Sequence, residues 1–261
     1  MHPLLNIAIS AARVAGDIIV RHIDQLDRIK ISTKHAEELF SEVDVKAEQA
    51  IIHTIRKAYP MHGIIAEESG IDNDEAETVW IIDPLDGTNN YLHGFPFYAV
   101  SIAVKIKNRI EHAVVLDPLR HECFTASRGR GARLNDHRLR VSKQTLLSQS
   151  LLGTGFPMRD AELAEQFLPT IASLFGKCAG VRRTGSAALD LAYLASGRLD
   201  GFWEFGLRPW DIAASSLLVQ EAGGLISDLH GGEDFLHTGN VIAGTPKVFK
   251  ALLQLMGTVT K

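Results

Sequence analysis

One segment constrains this chain above all others: Trp80-Ile81-Ile82-Asp83-Pro84-Leu85-Asp86-Gly87-Thr88-Asn89. Val79 to Ile82 reads as an apolar strand that delivers Asp83 at its carboxyl end, where open sheets place ligands. Pro84 fixes its own φ and limits Asp83, so the turn is stiff and the two carboxylates converge. Gly87 lets the backbone approach a ligand, and Thr88 and Asn89 open a helix whose free amides suit phosphate. Two aspartates beside an anion site would repel the substrate unless cations intervene. The segment therefore reads as a magnesium-bridged phosphate site.

The flanking chain says what kind of fold carries it. Leu4, Ile7, Ala8, Ala11, Ala12, Ala15, Ile18 and Ile19 make a helical stripe. A second helix is expected from Asp44 to Ala58, with Ala47, Ala50, Ile51 and Ile55 inward and Pro60 just beyond its end. Lys34 to Glu42, between them, reads as polar and irregular. Gly63 to Ala66 is a short apolar run followed at once by Glu67 and Glu68. From Phe97 to Val141 the period changes to two, giving strands over 98–106, 110–116 and 122–126, an antiparallel meander. Beyond Gly153 helices are expected at 161–175, 186–195, 209–221 and 246–256, and short strands at 199–202, 225–227 and 241–243. This mixture makes the class α/β, or α+β in layers. Two lobes are expected, 1–150 and 151–261, meeting near residue 150.

Composition narrows the function classes. With 27 Lys+Arg against 31 Asp+Glu, the net charge of −4 argues against a chain-wide electrostatic grip on nucleic acid. Cys123 and Cys178 are far apart and lack metal-finger spacing, so neither a disulfide framework nor a structural zinc is expected. No stretch of about 18 uncharged apolar residues is present, and Arg13 and Asp17 interrupt the first helix without a signal-peptide pattern. A cytoplasmic protein without a membrane partner is the expectation.

Each acid also has a plain structural explanation. Asp83 fits an Asx turn after a buried strand, and Asp211, in the first turn after Pro209, fits helix-dipole complementarity. Adjacent Glu67 and Glu68 repel each other, a cost that a metal would offset. The set is better explained by metals than by separate turns and caps. Other phosphate chemistries fail on spacing. Gly176-Lys177 precedes Cys178 and lacks the leading glycine of a P-loop. Gly153-x-Gly155 and Gly129-x-Gly131 lack a third glycine, neither cysteine has an arginine six residues on, Asp83 and Asp86 are not Asp-x-Asp, and no HExxH occurs. Magnitudes agree: phosphate-monoester hydrolysis needs accelerations up to about 10²¹, whereas one general acid or base supplies roughly 10²–10⁴.

Glu67-Glu68-Ser69, Asp83-Pro84-Leu85-Asp86-Gly87-Thr88-Asn89, and Pro209-Trp210-Asp211 with Glu221-Ala222-Gly223-Gly224 resemble the motifs of the inositol monophosphatase family. Met1 to Ala8 and Arg182 to Asp190 resemble a bacterial branch of it that also serves transcription antitermination on RNA polymerase. The resemblance covers nearly the whole chain. It implies an αβαβα five-layered sandwich of the inositol monophosphatase and fructose-bisphosphatase type, a homodimer, and lithium-sensitive, Mg²⁺-dependent hydrolysis of inositol monophosphates. By position it implies one Mg²⁺ on Glu67, Asp83 and the Leu85 carbonyl, a second on Asp83, Asp86 and Asp211, and a weaker third near Glu67. Thr88, backed by Asp44, would orient the water that Glu67 helps activate. The amides of Gly87 and Thr88 would hold the phosphate. Leu85, Asp86, Asp211, Arg182, Gly185, Ser186, Ala187 and Glu204 fall where the family meets its substrate.

Alternatives to these residue roles stay open. Asp44 fits a helix N-terminal charge, Glu204 a solvated edge residue, and Arg183 could serve a dimer contact as well as Arg182. Two departures from the family pattern stand out: Glu38-Leu39-Phe40-Ser41 replaces Asp-x-Val-Thr near the third metal, and Asn89-Asn90-Tyr91 replaces Thr-Asn-Phe. A fructose-bisphosphatase or nucleotide bisphosphatase would share the core motif. A mainly RNA-polymerase-binding regulator is the reading from another class, with the basic run Arg128, Arg130, Arg133, Arg138 and Arg140 as its one candidate surface.

Overall fold

The computed structural model describes residues 2–33, 39–158 and 160–258. The first half holds α1 (Pro3–His22), β1 (Ile31–Thr33), β2 (Leu39–Ser41), α2 (Glu42–Ala58), β3 (Gly63–Ala66), β4 (Gly70–Asp72), β5 (Thr78–Asp86) and α3 (Thr88–Leu92). The meander follows as β6 (Ala99–Ile106), β7 (Arg109–Asp117), β8 (Glu122–Ser127), β9 (Gly131–Leu134) and β10 (His137–Arg138). The rest comprises β11 (Leu151–Thr154), α4 (Ala161–Leu174), β12 (Gly180–Arg182), α5 (Ala187–Ala195), β13 (Gly201–Glu204) and α6 (Pro209–Glu221). It closes with β14 (Leu225–Ser227), α7 (Phe235–Thr238), β15 (Val241–Gly244) and α8 (Pro246–Met256).

An eight-stranded sheet runs in the order β10-β9-β8-β7-β6-β5-β3-β4, and a five-stranded sheet in the order β12-β11-β13-β15-β14. α1 and α2 pack on one face of the large sheet, and α5 and α6 separate the two sheets. α4 and α8 lie against each other, and α8 covers the outer face of the small sheet. That is a five-layered αβαβα sandwich. The central core draws on both halves of the sequence, from Ile81 and Phe124 of the large sheet to Phe202 and Val241 of the small one.

Local chemistry explains the helix starts. Pro3 opens α1 behind His2, whose ring accepts from the Leu4 amide. Ser41 and Asp44 form a reciprocal capping box at α2. This corrects the expectation of irregular chain up to Glu42: Leu39–Ser41 is a strand paired with β1. Residues 34–38, including the Glu38 departure, lie outside the described residues. Ala50 is only half-buried, whereas the acid Glu48 on the same helix is buried. Residues 3–26 are long and apolar enough by length and composition to cross a membrane, but Leu4, Ala8, Ala11, Ala15 and Ile19 are buried against α2 and the large sheet.

Ile51, fully buried in the outer layer, should cost about 2–5 kcal/mol on replacement by alanine. Ile71→Ala, at an exposed site, should change stability by less than ~0.5 kcal/mol. Urea denaturation of the two variants checks the layer assignment.

Candidate active site

The parallel pairing of β3 with β5 sets Ala66 opposite Ile82, so the two strands stop level. The Glu67 amide then donates to the Ile82 carbonyl at 3.2 Å, which holds Glu67 beside Asp83. β5 runs on to Asp86, past the expected end at Asp83. Asp83 faces Ser101 of β6 and Asp86 faces Ala99, with a register shift between them. One extra residue is thus bulged out, at the proline that lacks an N–H. The Leu85 amide donates to Asp83 Oδ1 at 3.0 Å, so the Asx turn and the convergence of acids are one structure.

Gly87 has φ +94° and caps α3. A Cβ there would lie 3.0 Å from the Phe97 carbonyl oxygen and 3.3 Å from that of Gly185, so only glycine lets these three segments meet. Thr88 Oγ1 lies 2.8 Å from Asp44 Oδ1 and 3.0 Å from the Leu85 carbonyl oxygen. Asp44 is fully buried, and its Oδ2 accepts from the Ser41 amide at 2.9 Å and from the Ser41 hydroxyl at 2.5 Å. It is therefore both a helix cap and the partner of Thr88. Burial raises its carboxyl, against the pull of the Ser41 and Thr88 hydrogen bonds.

The second sheet and the inner helices close the site. Asp86 Oδ2 accepts from the Ser186 hydroxyl at 2.5 Å and the Ala188 amide at 2.7 Å, at the start of α5. Asp211 Oδ2 accepts from the Arg208 amide at 2.7 Å, and the Ser101 hydroxyl donates to the Trp210 carbonyl at 3.2 Å, tying α6 to β6. Glu204 ends β13 against Gly155, where a Cβ would fall 1.7 Å from Glu204 Oε1. A cavity of about 250 Å³ is lined by Glu67, Asp83, Leu85, Asp86, Gly87, Thr88, Gly185, Ser186, Ala187, Glu204 and Asp211. Asp44 stands behind Thr88. Arg182 also stays out of the lining: it is exposed and its guanidinium donates to the Val181 carbonyl. Arg183 lines the cavity instead, with its guanidinium 5.9 Å from the centre of the Phe156 ring.

Three residues at the site escaped the sequence reading. Glu48, one turn beyond Asp44 and 2% exposed, accepts from the Glu68 and Ser69 amides at 2.7 and 2.8 Å and so fixes the Glu67 loop. An acid at i+4 on a buried stripe was the available signal. Asn90 Nδ2 donates to the Phe97 and Thr184 carbonyls at 2.7 and 2.8 Å, tying α3 to the loop before α5. Asp190 lines the cavity and is buried, and neither its Oδ1 nor Thr184 Oγ1 has a hydrogen-bond partner among the described residues.

The electrostatics are one-sided. Burial first, then Glu67, Asp86 and Asp211, push the Asp83 carboxyl far above the usual range. Burial brings Asp86 to about 6, against its hydrogen bonds to Ser186 and Ala188. Glu204 is raised by burial and by Asp190, Asp211 and Asp86, with Arg183 pulling the other way. Burial, with the Asp86 charge nearby, takes Asp190 to about 8. Crowded carboxylates and a backbone carbonyl are hard oxygen donors, the set Mg²⁺ prefers, and a cation would relieve their repulsion. As placed, no three His, Cys, Asp or Glu side chains among the described residues are gathered at metal-holding distance. Asp86 and Asp211 instead spend one oxygen each on helix amides. The donor chemistry fits the ion, and backbone amides position the acids that would hold it.

Two predictions follow from these positions. Glu48→Ala should cost about 1.5–3 kcal/mol for a charged acceptor and speed hydrogen exchange at the Glu68 and Ser69 amides, measured by NMR. Asp190 is raised above its unfolded value, so the stability of its neutral form is lost as pH climbs from 3.8 to about 8. In metal-free buffer Asp190→Asn should be more stable than the parent at alkaline pH, the gap closing in acid. Parallel stability–pH curves for the two proteins would refute it.

The geometry can now be set beside known proteins. The family model described as the inositol monophosphatase family matches residues 1–259. The chain is 56% identical to Nus factor SuhB of Pseudomonas aeruginosa, over 97% of this chain and 95% of that one. It is 52% identical to Nus factor SuhB of Escherichia coli K12, over 98% and 96%. Among solved structures, extragenic suppressor protein suhB from Bartonella henselae superposes with a TM-score of 0.94 at 40% identity, covering 98% of each chain. The inositol monophosphatase from Anabaena superposes at 0.85 with 35% identity, covering 98% and 96%. With the motifs, the layering and the full-length match in agreement, the chain belongs to the inositol monophosphatase family.

Proposed function

We propose that this protein is a Mg²⁺-dependent phosphatase acting on myo-inositol 1-phosphate and related sugar-alcohol monophosphates. The observation that carries the reading is the convergence of Glu67, Asp83, Asp86 and Asp211 on one cavity beside the amino end of α3. Glu67, Asp83 and the Leu85 carbonyl would hold one Mg²⁺, and Asp83, Asp86 and Asp211 a second, with a third near Glu67. Bound there, Mg²⁺ supplies a polarised phosphate and an acidified water.

The chain's own groups supply the rest. The Thr88 hydroxyl, held between Asp44 and the Leu85 carbonyl, orients the attacking water, and Glu67 takes its proton. The amides of Gly87 and Thr88, at the start of α3, bind the phosphate oxygens. Glu204, Gly185, Ser186 and Ala187 face the polyol. Arg183, which lines the cavity, suits the substrate role better than Arg182. Water attacks phosphorus directly, the phosphorus–oxygen bond to the polyol breaks, and the leaving polyol oxygen takes a proton from solvent; no nucleophilic side chain forms a phosphoenzyme. Met158, Leu168 and Phe175, all largely exposed around α4, support a homodimer.

The test is phosphate release from inositol 1-phosphate, fructose 1,6-bisphosphate and 3′,5′-adenosine bisphosphate across a Mg²⁺ titration. Release should depend on Mg²⁺, be fastest on inositol 1-phosphate, and fall at least about 100-fold in Asp86→Asn, as much as one general acid or base contributes at its weakest. A faster bisphosphate reaction would move the substrate, and a folded protein with no release would remove the enzyme reading.

A second role on RNA polymerase in transcription antitermination is favoured by the Nus factor name of the relatives. If it holds, RNA polymerase should be retained by the immobilised protein as well with Asp83→Asn as without it.

A further inference from the structure

Gly153-x-Gly155 fails as a dinucleotide fingerprint, and the structure gives the pair another use. The two glycines, at the end of β11, alternate with Thr154, whose hydroxyl donates to the Trp203 carbonyl at 2.7 Å. A Cβ at Gly155 would fall 1.7 Å from Glu204 Oε1. One at Gly153 would touch the Asp190 carboxyl carbon at 3.5 Å, with Leu199 and Phe202 closer still at 2.9 and 3.2 Å. β11 thus offers bare backbone beside two carboxyls, and both of them line the carboxylate cavity.

Glu204 is expected at the substrate from the sequence; Asp190 is not, and it is the more informative of the two. It is 1% exposed, and its Oδ1 has no hydrogen-bond partner among the described residues. The Thr184 hydroxyl lies near enough to pull the carboxyl down but out of hydrogen-bond geometry, and Arg183 acts on it as a nearby charge. A buried oxygen left without a donor costs stability. An aspartate kept at that cost on a cavity wall points to a donor brought in by whatever the cavity binds.

Its place on α5 says which part of a ligand it meets. The Ser186 hydroxyl donates to Asp86 at 2.5 Å, and the Asp190 amide donates to the Ser186 carbonyl at 3.0 Å. Ser186 and Asp190 are therefore about one turn, roughly 5.4 Å, apart on the same face of the helix. A phosphate held at Gly87 beside Asp86 leaves Asp190 one turn away, level with the rest of a sugar-alcohol monophosphate. That part of the molecule is rich in hydroxyl donors. A carboxyl keeps an acceptor oxygen whether charged or neutral, so a hydroxyl satisfies Asp190 in either state.

We propose that Asp190 is a specificity-determining residue, whose Oδ1 accepts a hydrogen bond from a hydroxyl of the substrate's polyol. The assignment rests on the phosphatase reading and adds to it the group that selects hydroxylated leaving groups over bare ones. The competing role for a buried acid in this cavity is a further metal ligand, and the turn of helix between Asp190 and the Asp86 contact argues against it.

Hydrolysis of inositol 1-phosphate and of cyclohexyl phosphate, the same ring without hydroxyls, tests it on the full chain with Mg²⁺. The parent should favour inositol 1-phosphate. In Asp190→Ala, which removes the acceptor without adding bulk, the ratio of the two kcat/KM values should fall at least about tenfold. Mg²⁺ affinity, measured by calorimetry, should not move. Asp190→Leu, which fills the same branched shape, should show the same fall in the ratio and stands in if the alanine variant does not fold. A loss in equal proportion on both substrates would make Asp190 a structural residue and overturn this assignment alone. A parent that hydrolyses both substrates without preference, or a variant with weakened Mg²⁺ binding, would do the same. A folded parent that hydrolyses neither would overturn the phosphatase reading and this assignment with it.

Discussion

The site depends on one backbone contact, the Glu67 amide donating to the carbonyl of Ile82. It extends the parallel ladder of β3 and β5 by one step past the last strand residue. Two acids from separate segments are thereby brought side by side at a sheet end, where burial and mutual repulsion both oppose them. A parallel pair needs a crossover between its strands; here β4 and the turn after it supply the return, and β4 is itself the edge of the sheet. Glu48, reaching across from α2, anchors the loop that the ladder releases.

Helix ends make that crowding tolerable. Asp44 caps α2, Asp86 accepts from the start of α5, and Asp211 caps α6. Three helices in two different layers thus aim their positive ends at one cavity. Each interaction contributes about 0.3–1 kcal/mol, more when partly buried. None compares with the cost of several buried carboxylates, so the helices hold the acids in place without neutralising them. The remaining negative charge is what gives the cavity its demand for cations.

This dual use explains what could be read in the sequence. Glu67, Asp83, Asp86 and Asp211 were legible because they follow apolar strands or open a helix after proline. Asp83 and Asp211 also fitted a bland turn or helix-start explanation, and the structure realises those bonds and the cavity together. The boundaries of α6 and α8 and the meander core were legible from periodicity and proline. β4, with all three residues exposed, and β12, a three-residue edge, carry no such period. Arg182 and Arg183 show the limit: β12 ends between them, and one step along the chain decides which guanidinium reaches the cavity. Glu48 and Asn90 act through backbone amides and carbonyls distant in sequence, which no local pattern encodes.

α6 gives the last link. Eight consecutive residues, Ile212 to Val219, are buried, as expected of a helix enclosed on all sides. Its thirteen residues span about 20 Å at 1.5 Å per residue, from Asp211 at the carboxylate cavity to Glu221 under the β8–β9 hairpin. An acid at a helix carboxyl end is disfavoured by the dipole, and Glu221 offsets this by taking two hairpin amides. The likeness to the family at Glu221-Ala222-Gly223-Gly224 therefore needs no role at the carboxylate cavity. It is explained by the fastening of the inner helix to the large sheet, which keeps Asp211 at the other end in place.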